Sequence, residues 1–308
     1  MFKYSRWLLL ILLCIFFAVC TTTFWSPTKW DNIFNIVLQQ APFLILLSLS
    51  MTLAIILNGI DLSIGAIVSL TSCIAAIVLQ ATHSIPLGIL SGIALGVVLG
   101  GLNGILIAKV HVSPFIATYS VSWIARGFAY VFLGGKQIYD LGPGFRDLFV
   151  SSPYTLFLIA VVVSVVMWFL MTKSVFGTKV FSIGSNEFAA KLSGINVNFV
   201  LIVSYTLMGV LAALTGIMYI ANLGCAEPVI GDDFALSAIA AALIGGTSFG
   251  GGEGKISNAI IGAFIMVILT NGMIHLGVPS FWQQFVVGTV IVLAMIMERG
   301  VKKFAHNV

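Results

Sequence analysis

Gly184-Ser185-Asn186-Glu187-Phe188-Ala189-Ala190-Lys191-Leu192-Ser193-Gly194-Ile195-Asn196-Val197 is a polar island in an otherwise apolar chain. Long apolar runs flank it on both sides. Asn186 is placed to cap a helix, the next residues form helices readily, and Gly194 is a C-terminal stop. The pattern predicts a short charged helix between two membrane-crossing segments. Two readings fit it: an ordinary connecting loop, or a docking element for a soluble partner at the membrane surface.

Working outward, hydrophobic residues make up 60% of the 308 residues and charged residues 8%. Soluble domains are about half apolar and roughly a quarter charged. Lipid must therefore be the solvent for most of the surface. The length accommodates about ten spans of roughly 20 residues, with little left for a soluble domain. The expected fold is an all-α polytopic membrane protein in one domain, residues 1–308, with its polar segment at about 173–198. Apolar segments fall at 7–25, 36–57, 62–80, 86–108, 113–133, 154–172, 199–222, 235–249, 256–277 and 281–298. The segment at 235–249 is short and rich in Ala and Gly, as a half-span or buried segment would be.

Lys3 and Arg6 before the apolar run from Trp7 resemble a signal peptide. No clean small-x-small site follows at Ala18-Val19-Cys20, so an uncleaved first span is expected. The four cysteines (Cys14, Cys20, Cys73, Cys225) lack metal-ligand spacing and suggest no disulfide framework. A net charge of +4 is too small to argue for nucleic acid.

Charge sets the orientation. With ten spans and a cytoplasmic N-terminus, Lys3, Arg6, Lys109, Lys173, Lys179, Lys191, Lys255, Arg299, Lys302 and Lys303 fall inside. Only Lys29, Lys136 and Arg146 fall in outside loops, together with Asp31, Asp140, Asp147, Glu227, Asp232 and Asp233. Ten against three obeys the positive-inside rule, and the reverse orientation breaks it in nearly every loop. Both termini are then cytoplasmic.

A weak internal echo joins the halves. Asn58-Gly59 before Ser63-Ile64-Gly65 matches Gly245-Gly246 before Ser248-Phe249-Gly250. Asn103-Gly104 before Ser113-Pro114-Phe115 matches Asn271-Gly272 before Pro279-Ser280-Phe281. The offsets differ and Gly is abundant, so chance competes with two inverted five-span repeats.

Asp61 lies between two apolar runs, where a carboxylate is costly unless paired or wet. It can cap a helix starting at Leu62 by accepting from the Ser63 and Ile64 amides, or serve a proton or ion relay. Gly59 and Gly65 allow close backbone approach. Gly245 and Gly246 open a glycine-rich stretch ending at Gly254-Lys255. Ile256 follows the lysine, so a phosphate-binding loop is excluded and a tight cytoplasmic turn is expected. Arg126 either reaches the outer surface or lines a watery path. Asn103 and Asn271 fit interhelical hydrogen bonds better than solute ligands. No nucleophile elbow, metal motif or paired carboxylate is present, so an embedded enzyme has almost no support.

The stretches Gly59-Ile60-Asp61-Leu62-Ser63-Ile64-Gly65, Gly184-Ser185-Asn186-Glu187 with Ala189-Ala190 and Ser193-Gly194-Ile195, and Gly245-Gly246-Thr247-Ser248 resemble the permeases of bacterial monosaccharide ABC importers. The resemblance runs from about residue 40 to 298. Asn58 and Ser185 stand where that family usually carries Gly. It implies a second permease subunit, identical or paralogous, and an ABC ATPase in the cytoplasm that carries ATP and Mg. It also implies a periplasmic solute-binding protein and residence in the bacterial inner membrane. No cofactor is then expected in this chain. By the family pattern, Asn186, Glu187, Ala189, Ala190, Ser193, Gly194 and Ile195 belong to a coupling helix that sits in a groove of the ATPase. The alternative is a secondary transporter driven by an ion gradient, which requires buried charges on several spans. Asp61 and Arg126 are the candidates for that.

Overall fold

Prolines and left-handed residues set where the helices start and stop. The computed structural model describes residues 5–21, 24, 31–142 and 144–306. Lys3, Lys29 and the last residue of the first expected span lie outside the described residues. The elements are α1 (Ser5–Cys20), α2 (Asp31–Asn35), a π-turn (Ile36–Gln40) running into α3 (Ala41–Ile56), α4 (Ile64–Thr82), α5 (Ile85–Ala108), α6 (Pro114–Leu133), α7 (Phe145–Val150), α8 (Thr155–Lys173), α9 (Val175–Ser185), α10 (Glu187–Leu192), α11 (Val197–Leu223), α12 (Phe234–Ile244), α13 (Ile256–His275) and α14 (Ser280–His306). Pro42, Pro86 and Pro114 stand in the first turns of α3, α5 and α6, where a missing N–H costs nothing. Asn58, His83, Gly134 and Gly224 take positive φ just past α3, α4, α6 and α11. An isolated antiparallel bridge pairs Ile138 with Ala226.

Among the described residues, six helices are long and apolar enough to cross a membrane: those within 32–56, 64–82, 85–108, 155–173, 197–223 and 256–275. Shorter apolar helices run Arg6–Cys20, Phe234–Ile244 and Ser280–Ile296. This is a polytopic membrane architecture. Large apolar side chains such as Trp123, Val131, Phe169 and Phe285 face outward, as lipid contact allows.

The last short apolar segment is shorter than expected. Helix α12 stops at Ile244, where Gly245 caps it with its N–H still on the Ala241 carbonyl and Gly246 turns the chain away at φ +75°. At about 1.5 Å per residue its 11 residues reach roughly 16 Å, about half the hydrocarbon thickness.

Helix α3 is buried along all 16 residues, so it is the core of the bundle. It packs against α8, α11, α12 and α13. The most extensive contact is between α5 and α11. There Gly96 and Gly100 meet the backbone of Gly209 and Tyr205 without intervening side chains. Close approach through small residues is how helices associate where lipid removes the hydrophobic drive.

Candidate functional site

The polar island folds as a capped, independent helix. Ser174 caps α9, its Oγ accepting from the Gly177 amide at 3.2 Å. Asn186 breaks the chain with φ −163°, and its Oδ1 accepts from the Ala189 amide at 2.9 Å, starting α10. At the other end Gly194 takes φ +82°. Ile195 N–H donates to the Ala190 carbonyl and Gly194 N–H to that of Lys191, both at 3.1 Å. This is the Schellman closure. Asn196 then caps α11, accepting from the Phe199 amide at 3.1 Å. The cap at Asn186 and the stop at Gly194 stand where the sequence puts them.

Only Ala190 of α10 turns inward. Glu187, Ala189, Lys191, Ser193 and Gly194 are exposed, and Ile195 is half-buried. Phe188 and Leu192 are 72% and 74% exposed and stand four apart, forming an apolar ridge. The sequence reading missed this pair, because apolar residues in a short helix read as inward by default. Burial of Ala190 is the signal that reverses it.

Behind α10 the backbone forms a joint. Gly184 lies against the carbonyl of Ile56, the last residue of α3, and any Cβ there would overlap it. Gly252 N–H donates to that carbonyl at 2.8 Å. A Cβ on Gly251 would stand 2.9 Å from Asn58 Cβ. Thus the end of α9, the end of α3 and the turn between α12 and α13 meet through main chain. Gly251 and Gly252 have φ +78° and +69°, as the expected tight turn requires.

The segment after α3 carries a buried polar junction. Asn58 (φ +58°) ends α3, with Gly59 N–H bonding the Ala54 carbonyl at 3.0 Å. A left-handed position takes Gly by default and Asn next. Asp61 is 1% exposed. Its Oδ1 accepts from Ser63 N–H at 2.8 Å and Ser63 Oγ–H at 2.5 Å. This corrects the expected cap: α4 starts at Ile64, not Leu62, and the Ile64 amide is not Asp61's partner. Asn103 of α5 donates through Nδ2 to Ser63 Oγ at 2.7 Å. Thr118 of α6 accepts from Leu62 N–H at 3.1 Å. A Cβ on Gly59 would stand 2.7 Å from Tyr205 Oη of α11. Asp61 Oδ2, Asn103 Oδ1 and Tyr205 Oη have no hydrogen-bond partner among the described residues.

Gly59, Asp61, Ser63 and Asn103 therefore gather at one junction, and the other candidates lie elsewhere. Gly65 meets the backbone of Gly231 just before α12. Gly245 packs on the Asn258 carbonyl, and Gly246 faces Arg6. Asn271 accepts from Asn32 Nδ2 at 3.1 Å and donates to Gln40 Oε1 at 3.2 Å, tying α13 to the second helix and the π-turn. Asn271 thus bonds between helical segments, and Asn103 bonds to Ser63 in the connection just before α4. Arg126 pairs with Asp232 at 3.0 Å, the two side chains being 31% and 38% exposed. Partial burial raises the Asp232 carboxyl and Arg126 opposes the shift. So exposed a pair contributes at most about 1 kcal/mol.

A family model described as branched-chain amino acid transport system / permease component matches residues 32–295. A ribose import permease protein of Escherichia coli (strain K12) is 36% identical over 299 residues, covering 94% of this chain and 92% of its own length. The ribose import permease protein of Bacillus subtilis (strain 168) is 38% identical over 303 residues, covering 96% and 92%. A D-allose transport system permease protein of Escherichia coli (strain K12) is 32% identical over 305 residues, covering 98% and 93%. No solved structure matches.

Proposed function

Because this chain belongs to the family of branched-chain amino acid transport system permease components, we propose that it is the permease subunit of an ATP-driven ABC importer for a sugar or sugar-like solute. The sugar class is carried over from the ribose and allose permeases it is similar to. The structural observation that supports coupling is α10, a capped helix that turns Phe188 and Leu192 out of the protein. In this reading α10 sits in a groove of a separate ATPase, which holds ATP and Mg. A periplasmic binding protein delivers the solute, and the path runs between two permease subunits, identical or paralogous.

The same reading takes the chain as a ten-span protein of the inner membrane with both termini in the cytoplasm and two inverted halves. Single cysteines at Lys179 and Lys255 should be shielded from an impermeant thiol reagent in intact cells, in a background lacking the four native cysteines. Cysteines at Asp147 and Asp232 should be labelled. Labelling of position 179 from outside would overturn the topology.

The function is tested by purifying the assembly with its ATPase and binding protein and measuring uptake of ribose, allose and galactose into vesicles. Uptake should require ATP and the binding protein. Uptake without ATP that collapses when an ion gradient is dissipated would establish the secondary-transporter alternative instead.

A further inference from the structure

The outward surface of α6 carries two unlike stripes. Tyr119, Trp123, Arg126 and Tyr130 follow the i, i+4, i+7, i+11 spacing of one helix face. Ile124, Phe128 and Val131 follow it on another, which is wholly apolar. The apolar and aromatic side chains of both stripes are exposed. The second stripe suits lipid. The first places a charge and three polar-tipped rings along most of the helix, whereas Trp and Tyr that face lipid gather at the two interfaces.

The charge lies deep. A Cβ on Gly59, just past α3, would stand 3.1 Å from Pro114 Cβ, and the turn after α12 bonds to the end of α3. These helix ends therefore share the face that bears α10. From that face Arg126 is roughly 18 Å along α6. Its partner Asp232 precedes α12, whose 11 residues set it roughly 16 Å from the turn. Packing on α4 agrees, because Gly231 N–H donates to Ser69 Oγ at 3.0 Å. Ser63 is level with Asn103, roughly 8 Å short of the end of α5, and Ser69 is roughly 9 Å further along. The pair thus stands about half way through a hydrocarbon layer of about 30 Å. Both side chains are partly open at that depth. Exposed charge there faces water rather than lipid. Irregular backbone, such as that leading into α12, is tolerated there only inside protein or against water.

We propose that Tyr119, Trp123, Arg126 and Tyr130, with Asp232 paired to Arg126, line a water-filled path and contact a neutral polyhydroxyl solute as it passes. The proposal rests on the sugar-importer reading above. A sugar presents C–H faces and hydroxyl edges. The rings offer apolar area to the faces, while Arg126 offers donors and Asp232 acceptors to the edges. The ion pair cancels its own charge, so it can orient a neutral solute without trapping it.

The test uses the importer assembled with its ATPase and binding protein in lipid vesicles, its four native cysteines replaced. Tyr119→Cys, Trp123→Cys and Tyr130→Cys should react with a water-soluble thiol reagent at least about tenfold faster than Ile124→Cys, Phe128→Cys and Val131→Cys, because a thiol among lipid tails stays protonated. Trp123→Ala should lower the maximal rate of ribose, allose or galactose uptake at least about twofold, the lower end of what an aromatic contact contributes. Trp123→Phe should restore most of that rate, and Phe128→Ala should leave it unchanged. Equal reactivity of the two stripes, or equal uptake by Trp123→Ala and Phe128→Ala, would overturn the path. So would oxidation that joins the first three cysteines to those of a second copy while the reagent fails to reach them. Wild-type uptake that needs no ATP would overturn the importer reading instead, and the contrast in reactivity would still decide the path.

Discussion

Replacing Phe188 and Leu192 together by Asp should reduce ATP-driven uptake by at least about tenfold and strip the ATPase from the purified permease. Both side chains are almost wholly outside the protein's own packing, so the fold loses little. A docking interface concentrates its energy in a few buried anchors, typically worth about 2 kcal/mol or more each, and 1.4 kcal/mol is about tenfold in affinity. Two carboxylates placed in such a groove reverse the contribution. Glu187→Lys, at the exposed start of the same helix, should weaken coupling by less, because a rim charge acts mainly on association rate. Gly194→Trp should weaken it through the backbone, since φ +82° is strained for any side chain. Retention of the ATPase in pull-downs, with undiminished uptake by the double variant, would remove α10 from the coupling role.

The second large effect is at Asp61. Asp61→Leu removes the acceptor of Ser63's amide and hydroxyl, and through Ser63 loosens Asn103. Each buried polar group left unmade costs about 1–3 kcal/mol. Two or three such losses are a large share of a typical stability of about 5–15 kcal/mol. The variant should therefore accumulate poorly in the membrane and melt well below wild type, with uptake lost in proportion. Asp61→Asn should fold and retain most uptake. An Asp61→Leu protein that melts with the wild type would refute the structural role of the junction. An Asp61→Asn protein that folds but cannot transport would favour ion coupling.

Much of the helix layout was legible because few residues decide it. The expected segments at 86–108, 113–133 and 154–172 differ from α5, α6 and α8 by at most one residue at either end. Pro86, Pro114, Lys109 and Gly134 mark those ends locally. Asn186 and Gly194 are legible for the same reason. What escaped depends on partners distant in sequence. The Gly184 contact needs Ile56 and Gly252 brought beside it. The helix start at Ile64 depends on how Ser63 is held by Asp61 and Asn103. The outward turn of Phe188 and Leu192 follows from Ala190 packing against the bundle. Composition did not hold that either, since all three are apolar.

The joint at Ile56 separates two kinds of surface. What α10 offers a partner is written in side chains, which substitution changes freely. What lies behind it is main chain meeting main chain at Gly184, Gly251 and Gly252, where added atoms collide. In the proposed coupling role, substitutions at Phe188 and Leu192 would alter what α10 presents to a partner, while the linkage to α3 and to the turn after α12 has no room for added atoms. In that role the contact surface is free to vary, and the joint behind it is held by the absence of side chains.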